Sequence, residues 1–514
     1  MRCTIFSLLF IFFLITGCQN KNEEIPNNNP SGVTVTTSIN GNSVDVSWTM
    51  ANDPDDDDIS YAIELNGTIV ESDLTVTNYE LSNLEFNESF QARLIVTDTE
   101  GGQSETSFTF ATEYLFKTDG SADQEYVESA APTDDGGVIV LARTLGSNFI
   151  GSNYGETDII MVRYDRLGNL LWKKNYGGSQ IDAPYRINKM SDSSYIITGF
   201  TNSSDGDFAM NNGSINAFAL KIDIQGNIIW ANTYGGSNED VFTEVVETND
   251  NALMFSGIVR SVDGDASANN GQSDFWVVKT TLDGSIIWEK NIGGSGADNA
   301  FSIVSNGDGT YFVGGFTRSS DLDFPNNYGG VYDGGIVKID NDGTVVFTKN
   351  YGGTGNDRFD SMVRSDSNDG VVITGSTSST DNDLNSTNGS TDYWVLKVDD
   401  TGEVVWSNSF GGPGTDSSRF ISSNGSGTYY TCYYHDGQGG DVTESFGEID
   451  GWYLALDENG NLTEQETFGG SDVDYINAVF SDAQGKLFVV GNTESNDFDA
   501  INNNGGYDIF LIKK

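Results

Sequence analysis

Pairs of aspartates separated by one residue recur along the second part of this chain, and their carboxylates could bind a metal ion. Asparagine follows each pair within the same loop, and in most copies a further aspartate follows as well. Ca²⁺ prefers oxygen ligands of this kind, although the spacing fits no EF-hand loop. Because aspartate also stabilises turns by accepting backbone N–H bonds, turn formation is the competing interpretation. The pairs are Asp205 and Asp207, Asp263 and Asp265, Asp321 and Asp323, Asp381 and Asp383, and Asp497 and Asp499.

A second candidate site lies between residues 430 and 452, where the chain departs from a pattern that it repeats elsewhere. Tyr433 replaces a recurring glycine, and His435 replaces a recurring threonine. Aromatic rings pack against sugar rings and carboxylates accept hydrogen bonds from hydroxyls, so this set favours a glycan ligand. The competing interpretation is an irregular repeat whose core is refilled with tyrosine. The candidate binding residues are Tyr434, His435, Asp436, Asp441, Glu444 and Trp452.

Enzymatic chemistry finds little support in the residue types. The chain has one histidine, no readable Ser/His/Asp arrangement and no histidine-rich metal motif. A glycosidase needs only two carboxylates about 5 to 10 Å apart. With 76 aspartates and glutamates in the chain, a carbohydrate-active enzyme remains an alternative.

The candidate residues belong to a repeat of 58 or 59 residues that is marked by a Gly-Gly pair. Each unit contains four short runs rich in β-branched and aromatic residues, which predicts four strands joined by turns. Seven units over residues 113–514 predict an all-β, seven-bladed β-propeller with four strands per blade. The pairs are Gly177-Gly178, Gly235-Gly236, Gly293-Gly294, Gly352-Gly353, Gly411-Gly412 and Gly469-Gly470, with a degraded copy at Asp119-Gly120.

A strand from the start of the repeat region is expected to close the predicted ring. The last unit stops after its third strand at Lys514. Residues 114–117 precede Gly120 as residues 172–175 precede Gly178. We therefore expect this early segment to provide the fourth strand of the final blade, which distinguishes a closed propeller from an open solenoid.

The fourth unit carries the densest form of the repeat, in residues 293–298, 313–317 and 320–325. Through these motifs the chain resembles the seven-bladed β-propeller repeats of bacterial surface and secreted proteins. The resemblance covers residues 120–514 and implies the fold. Members of this family mostly lack an assigned activity, so the resemblance implies no catalytic residues.

A further acid follows each Gly-Gly pair by four residues, and Gln124 takes this place in the first unit. Because it opens the innermost strand, one interpretation is a ring of carboxylates at the mouth of a channel. Its repetition favours a scaffold role instead, in which the carboxylate accepts hydrogen bonds from the glycine-rich turn. These residues are Asp182, Asp240, Asp298, Asp357, Asp416 and Asp474.

Residues 32–112 have a different pattern of short alternating strands, with Trp48 in the second strand and an apolar run at 90–98. This segment resembles a fibronectin type III β-sandwich, in which an early tryptophan packs between two sheets. Phe90 stands where that fold places a tyrosine whose hydroxyl secures a corner. We expect Phe90 to keep the packing and to lose the hydrogen bond.

The first 17 residues have the features of a secretory signal, with Arg2 before an apolar stretch and small residues before Cys18. They resemble the lipobox of bacterial lipoproteins, which implies a lipid anchor on Cys18 and a flexible tether over 18–31. Gln19 follows the cysteine, and a residue other than aspartate at this position is similar to the pattern of lipoproteins that are sent to the outer membrane. The acidic stretch at 21–24 is similar to a cell-surface export signal. The expected location is therefore the outer membrane, on the cell surface.

The composition agrees with a protein of the cell envelope. Lysine and arginine number 25, and the formal net charge is −51, so the surface disfavours nucleic acid and favours cations, basic partners or neutral ligands such as sugars. Of three cysteines, only Cys432 remains free after cleavage and acylation, which excludes an intramolecular disulfide. We expect a non-catalytic scaffold that binds a glycan or an envelope or extracellular protein at the face with the long loops. A structural or adhesion protein is the second alternative.

Overall fold

A computed structural model describes residues 26–514 apart from 152–153, 210, 212–213, 385–386, 483 and 499–502. The predicted leader, Cys18 and Asp499 lie outside these residues. Contacts divide the described chain into two units, the first formed by residues 26–84 and 88–112 and the second by 85–87 and 113–514. Both are built from strands, with one short 3-10 helix at Gly206–Phe208. No helix within the described ranges is long and apolar enough to cross a membrane.

The first unit is a sandwich of two antiparallel sheets. One sheet has the order β1-β2-β5 and the other the order β4-β3-β6-β7. Trp48 and Tyr61 pack in the core with ring centroids 5.4 Å apart. As expected, Phe90 is buried, and it stacks on Phe110 at 5.2 Å. The strands are β1 (Val35–Asn40), β2 (Ser43–Trp48), β3 (Ile59–Leu65), β4 (Thr68–Leu74), β5 (Asn78–Leu81), β6 (Ser89–Asp98) and β7 (Gln103–Ala111).

The second unit consists of seven antiparallel sheets of four strands each in the described residues. The first three are β9 (Glu125–Pro132), β10 (Val138–Thr144), β11 (Asp158–Tyr164) and β12 (Leu170–Tyr176); β13 (Asp182–Lys189), β14 (Tyr195–Thr201), β15 (Asn216–Ile222) and β16 (Ile228–Tyr234); and β17 (Val241–Glu247), β18 (Ala252–Val259), β19 (Asp274–Thr281) and β20 (Ile286–Ile292). The next two are β21 (Asp298–Ser305), β22 (Thr310–Thr317), β23 (Asp333–Asp340) and β24 (Val345–Tyr351); and β25 (Asp357–Arg364), β26 (Gly370–Thr377), β27 (Asp392–Asp399) and β28 (Val404–Phe410). The last two are β29 (Ser417–Ser423), β30 (Thr428–His435), β31 (Asp450–Asp457) and β32 (Leu462–Phe468); and β33 (Asp474–Ser481), β34 (Leu487–Thr493), β35 (Asp508–Lys513) and β8 (Leu115–Asp119).

Hydrophobic cores lie between successive sheets of this unit. In the second sheet, for example, the second and third strands are buried almost along their whole length, and the fourth strand begins with two exposed residues. One core, for example, combines Ile139 and Ile159 of the first sheet with Ile197 and Leu220 of the second. The first strand of each sheet contacts the first strand of the next, and β33 of the seventh sheet contacts β9 of the first.

The seventh sheet is completed by a strand from the beginning of the unit. The predicted pairing is observed, because β8 runs antiparallel to β35 with Asp119 opposite Ile509. Asp119 accepts hydrogen bonds from the Tyr164 hydroxyl at 2.8 Å and from Lys173 Nζ at 2.9 Å. The strand is therefore joined both to the seventh sheet and to the first.

The acid that follows each Gly-Gly pair has the predicted scaffold role. Asp298 is fully buried, and its Oδ2 accepts hydrogen bonds from the Gly294 N–H at 2.7 Å and from the Ser319 hydroxyl at 2.7 Å. Its Oδ1 accepts one from Thr317 at 2.5 Å. In the first sheet, the prediction that Gln124 takes this place was wrong by one residue. Glu125 lies opposite Thr144, as Asp182 lies opposite Thr201, and Glu125 accepts bonds from both the amide and the hydroxyl of Ser121.

A second buried acid begins the third strand of nearly every sheet and faces this scaffold carboxylate. A Cβ atom on Gly293 would lie 2.4 Å from Asp274 Oδ1 and 2.8 Å from Asp298 Oδ2, so only glycine fits between them. One oxygen of the third-strand acid has no hydrogen-bond partner in five sheets. The five residues are Asp158, Asp274, Asp333, Asp450 and Asp508. The second sheet has Asn216 at this position, which shows that a neutral amide fits there.

These buried acids make the stability of the second unit depend on pH. Burial raises the pKa values of Asp333, Asp416 and Asp474 to about 6 and that of Glu125 to about 7. Since an unfolded chain titrates these groups near pH 4, the folded state binds more protons between about pH 4 and 7. Their stabilising contribution is therefore complete at low pH and is lost as the pH rises through 6 to 7. We expect a higher Tm at pH 5 than at pH 8, measured by differential scanning calorimetry.

The variant Asp333→Asn tests the cause, since it reproduces the residue found at 216. We expect this change to stabilise the unit at pH 8 by about 1–2 kcal/mol and to reduce the slope of Tm with pH. Asp342→Asn, at an exposed position, is the control and should leave the profile unchanged. If the dependence of Tm on pH is the same in Asp333→Asn as in wild type, the Asp333 carboxyl does not contribute to that dependence.

Candidate ligand-binding cavity

A β-bulge occurs at the same position in the first strand of all seven sheets. At each bulge one residue has no partner on the second strand, and a bulge turns that side chain away from the regular pleat. The repeated backbone therefore presents a different side chain from each sheet. The seven residues are Glu128, Tyr185, Thr243, Phe301, Asp360, Arg419 and Asn477.

Five of these residues line a cavity of 540 Å³, which we call the Arg–Tyr cavity. Its walls come from the first strands of six sheets, together with β30 of the sixth sheet. Several lining residues lie at the start of the first strands, at the same end as the Gly-Gly segments. The lining residues are Glu128, Tyr185, Arg186, Phe301, Arg358, Asp360, Ser417, Ser418, Arg419, Tyr433, Tyr434 and Tyr475.

Both carboxylates of the Arg–Tyr cavity are ion-paired to arginine. Arg358 Nε lies 3.0 Å from each oxygen of Asp360. Glu128 accepts from Arg419 Nη2 at 2.8 Å and lies 2.9 Å from Arg143 Nε. Arg358 and Arg419 also lie over aromatic rings, 5.4 Å from the centroid of Phe301 and 5.8 Å from that of Tyr433. These contacts fix the guanidinium planes, as cation–π pairs in a partly desolvated site do.

Arg186 differs from the other two arginines because it has no carboxylate partner among the described residues. Arg186 is 7% exposed. Its Nη2 donates hydrogen bonds to the backbone oxygens of Arg419 at 3.2 Å and Asp360 at 3.5 Å. Its guanidinium lies 4.9 Å from the Phe420 ring centroid. Burial lowers the pKa of Arg186 because no ion pair compensates the lost hydration.

Tyrosine rings form the wall of the cavity on the side of the sixth and seventh sheets. Tyr433 stacks on Tyr475 at 5.2 Å, and Tyr434 meets both rings edge-on at 4.9 and 5.5 Å. The row continues through Tyr507 to Tyr126. Burial raises the pKa of Tyr434 to about 12, so its hydroxyl stays protonated and can donate a hydrogen bond at neutral pH. The wall combines flat apolar faces with hydroxyl groups.

The structure separates the residues of the predicted aromatic and acidic site. Tyr434 lines the cavity, whereas His435 and Trp452 are fully buried and contact each other with ring centroids 5.8 Å apart. His435 Nε2 lies 3.2 Å from Thr467 Oγ1, and burial lowers the pKa of His435. Trp452 Nε1 donates to Gln465 at 3.1 Å. Neither ring offers a surface to a ligand.

The three acids of that predicted set lie outside the cavity lining. Asp436 and Glu444 are exposed. Asp441 Oδ2 accepts from the Gly411 N–H at 3.2 Å and from Asn388 Nδ2 at 2.8 Å. Asp441 thus supports the Gly-Gly segment of its sheet. Of the six predicted residues, Tyr434 is the one that shares a cavity with other candidate binding groups.

The aspartate pairs of the long loops contact the Gly-Gly segments. Asp205 Oδ1 accepts from the Ser179 N–H at 2.7 Å, and Asp207 Oδ2 accepts from the Gly177 N–H at 3.0 Å. These are the bonds that the turn interpretation requires, and the calcium hypothesis for these loops stays a prediction. The same two bonds are made by Asp263 and Asp265, Asp321 and Asp323, and Asp381 and Asp383, and Asp497 makes the first of them.

Sequence reasoning missed the arginines, although a signal for them exists. Arg186, Arg358 and Arg419 stand one to four residues after the scaffold aspartates of the second, fifth and sixth units, where the other units have no basic residue. In a chain with 25 basic residues, three that converge on one cavity form a local exception to the overall charge. The net charge of the whole chain concealed this exception.

Comparison with known proteins identifies the first unit. Residues 28–113 match the fibronectin type III domain, which confirms the fold predicted for residues 32–112. No curated protein sequence matches the chain. The family match covers the first unit alone.

Among solved structures, the chain is similar to the extracellular domain of a hybrid two-component system from B. thetaiotaomicron, with 14% identity over 93% of this chain and 51% of that one and a TM-score of 0.37. It is similar to a rhamnogalacturonan lyase of Bacillus licheniformis, with 13% identity over 87% of this chain and 77% of that one and a TM-score of 0.32. A protein of unknown function from Dyadobacter fermentans aligns with 12% identity over 66% of this chain and 96% of that one, with a TM-score of 0.37. Likeness at these scores supports no conclusion about the fold or function of this chain.

Proposed function

We propose that this protein is a non-catalytic lipoprotein of a bacterial outer membrane that binds a glycan in the Arg–Tyr cavity. In this proposal the second unit is a seven-bladed β-propeller, and the fibronectin type III unit is a spacer between the anchor and the binding site. The observation that carries the proposal is a 540 Å³ cavity whose walls combine tyrosine rings with fixed charges. Ligand cavities in proteins have volumes of about 300–1,000 Å³.

Three observations support the propeller. The seven sheets follow the sequence repeat of 58 or 59 residues. Contacts between first strands run from each sheet to the next and from the seventh back to the first. The strand β8 completes the seventh sheet and so joins the two ends of the repeat. In an open solenoid each repeat contacts only its neighbours in sequence, so the last two features are not expected there.

The tyrosines favour a glycan over a fully apolar ligand. Tyr433, Tyr434 and Tyr475 present ring faces and hydroxyls close together, and a sugar ring needs both apolar contact and hydrogen bonds. The ion-paired Glu128 and Asp360 keep acceptor oxygens in the lining. The cavity therefore offers donors and acceptors beside flat apolar surfaces.

The same ion pairs favour binding over hydrolysis. A paired-carboxylate glycosidase needs one carboxyl group that can donate a proton to the leaving group. Glu128 contacts two arginines, and Asp360 contacts Arg358 through both oxygens. Neither carboxylate is free for proton transfer, so the carbohydrate-active enzyme is the weaker reading.

A structural or adhesion role remains a second candidate function, and exposed apolar residues favour it. Several fourth strands of the second unit expose two consecutive apolar side chains. Envelope or extracellular proteins could bind such residues. The pairs are Leu170 and Leu171, Ile228 and Ile229, Ile286 and Ile287, and Val404 and Val405. This role requires no ligand in the cavity.

Glycan binding is tested on chain 19–514, which lacks the leader and the acylated cysteine. We expect a saccharide identified on a glycan array to bind Tyr475→Ala at least about tenfold more weakly than wild type, because the stacking surface is removed. Isothermal titration calorimetry measures the Kd. Tyr328→Ala, at an exposed tyrosine outside the cavity, is the matched control and should bind normally. If no saccharide binds, the adhesion role becomes the leading hypothesis.

The anchor is tested in cells of a bacterium with an outer membrane. We expect the full chain to incorporate an alkyne fatty acid and to fractionate with the membrane, and Cys18→Ala to lose both properties. Cys432→Ala is the control, since Cys432 is buried within the sixth sheet. Protease digestion of intact cells then tests the cell-surface location. A Cys18→Ala protein that is still labelled would contradict the lipid anchor.

A further inference from the structure

The charge of the Arg–Tyr cavity is opposite in sign to that of the whole protein. The lining contains three guanidinium groups, those of Arg186, Arg358 and Arg419, and only two carboxylates, those of Glu128 and Asp360. One positive charge is left over after the two carboxylates are counted, in a protein whose formal net charge is −51. Such a site attracts anions although the surrounding surface repels them.

Arg186 is the group that is left without a counter-ion. Its two bonds to backbone oxygens use Nη2, and no carboxylate within the described ranges forms an ion pair with it. The Glu244 carboxylate is the largest favourable charge in its surroundings, but one of its oxygens already accepts from the Ser302 hydroxyl at 2.5 Å and from the Ile303 N–H at 3.1 Å. A buried cation without an ion-pair partner is unfavourable unless a ligand supplies the opposite charge.

We infer that the Arg–Tyr cavity selects an acidic saccharide, whose uronate carboxylate binds Arg186 while its sugar ring packs on Tyr433, Tyr434 and Tyr475. Guanidinium groups bind carboxylates through two parallel hydrogen bonds, which gives both affinity and orientation. The inference rests on the proposed glycan-binding function and replaces the neutral sugar expected from the net charge.

The test titrates chain 19–514 with oligogalacturonate, with its methyl ester and with neutral galacto-oligosaccharide of the same length. We expect the free acid to bind at least about tenfold more tightly than the ester, and this difference to decrease with salt. The ester keeps the sugar rings and removes the charge, so this comparison needs no variant protein. Equal binding of acid and ester would overturn the inference.

Variants assign the effect to one residue. We expect Arg186→Gln, checked for a cooperative melting transition, to bind the acid about tenfold more weakly and the neutral sugar normally; Arg93→Gln in the first unit is the matched control. Wild-type affinity of a folded Arg186→Gln would overturn the inference. If neutral sugars bind as well as acidic ones and Tyr475→Ala abolishes both, glycan binding stands and the acidic selectivity falls. Binding of an acidic peptide but no saccharide would overturn both.

A separate cluster of acids occurs in the loop between β2 and β3 of the first unit. One carboxylate oxygen from each of Asp53, Asp55 and Asp57 lies within 4.8 Å of the others. This is the only group of three or more histidine, cysteine or acidic side chains with such spacing in the part of the chain that is described. Alternate acids in one loop are a recurrent way to surround Ca²⁺ with oxygens.

A second observation points to a ligand at this loop. Asp53 is 8% exposed, and its Oδ1 accepts from the backbone N–H groups of Asp55 at 2.8 Å and Asp57 at 3.3 Å. Its Oδ2 is buried and has no hydrogen-bond partner.

The geometry points to a Ca²⁺ site formed by Asp53, Asp55 and Asp57, with Asp53 Oδ2 as the buried ligand. Such an ion would neutralise the loop and would stabilise the fibronectin type III unit through binding to the folded state. This assignment is independent of the cavity and of the loop aspartates of the second unit. It uses the hard oxygen ligands that the chemistry of Ca²⁺ requires.

Calorimetric titration of Ca²⁺ into EDTA-treated chain 19–514 tests the site. We expect Ca²⁺ to bind and to raise the Tm of the first unit, and the double variant Asp55→Asn and Asp57→Asn to lose both effects. These two residues are at least partly accessible, so the change leaves the buried Asp53 and its backbone bonds in place. No heat and no shift in Tm for wild type would overturn the assignment. Loss of binding in Asp321→Asn with Asp323→Asn, but not in the first double variant, would place the ion in the long loops instead.

Discussion

The buried carboxylate after each Gly-Gly pair is the interaction on which the second unit depends. It receives hydrogen bonds from a turn amide, from the end of the second strand and from the loop that follows that strand. A buried acid with this many donors is satisfied, and removal of it would leave several buried donors unpaired. The first glycine of each pair follows from this carboxylate, because a Cβ atom on Gly293 would lie 2.8 Å from Asp298 Oδ2, whereas the second glycine, Gly294, lies against the loop acid Asp321. A single polar group thus fixes the spacing at which one sheet ends and the next begins.

In each sheet, one residue at the β-bulge of the first strand varies in chemical type, while the surrounding architecture is repeated. The scaffold aspartate and its glycines recur almost unchanged, whereas the bulge three residues later carries Glu128, Tyr185, Phe301, Asp360 or Arg419. A bulge lets the side chain leave the pleat without a change in the rest of the ladder. Binding groups can therefore vary from sheet to sheet while the hydrogen-bonding frame stays the same.

Much of the fold could be predicted from the sequence, and less of the site. The strands follow from runs of β-branched residues between turn residues, and the pairing of β8 with β35 follows from the missing strand of the last unit. The error at Gln124 arose because the first unit has one more residue between Gly120 and its buried acid. His435 was predicted to bind a ligand because it replaces a recurring threonine, yet it is fully buried at that position, as the threonines are. The spacing of the repeat predicts which position in the strand a residue occupies. Whether that position is buried depends on packing against the next sheet.

The arginines of the cavity show why the rest could not be read from one sequence. Arg186 and Arg419 come from different units, and their convergence depends on how six sheets are placed around one space. Arg186 contacts the backbone of Asp360 and Arg419, and Arg419 contacts Glu128, which lies 291 residues away in the sequence. A site of this kind has no local motif.

The completion of the seventh sheet by β8 has a consequence for how this chain reaches its folded state. Val127 in the first sheet donates to Asn492 in the seventh at 2.8 Å across 365 residues, so these contacts form only when nearly the whole chain is present. Contacts of such long range are slow to form. During synthesis, β8 is made early and has an open edge until β35 is made, and an open edge can pair with another chain. A protein of this design therefore depends on protection of its first strand against association until the last one emerges.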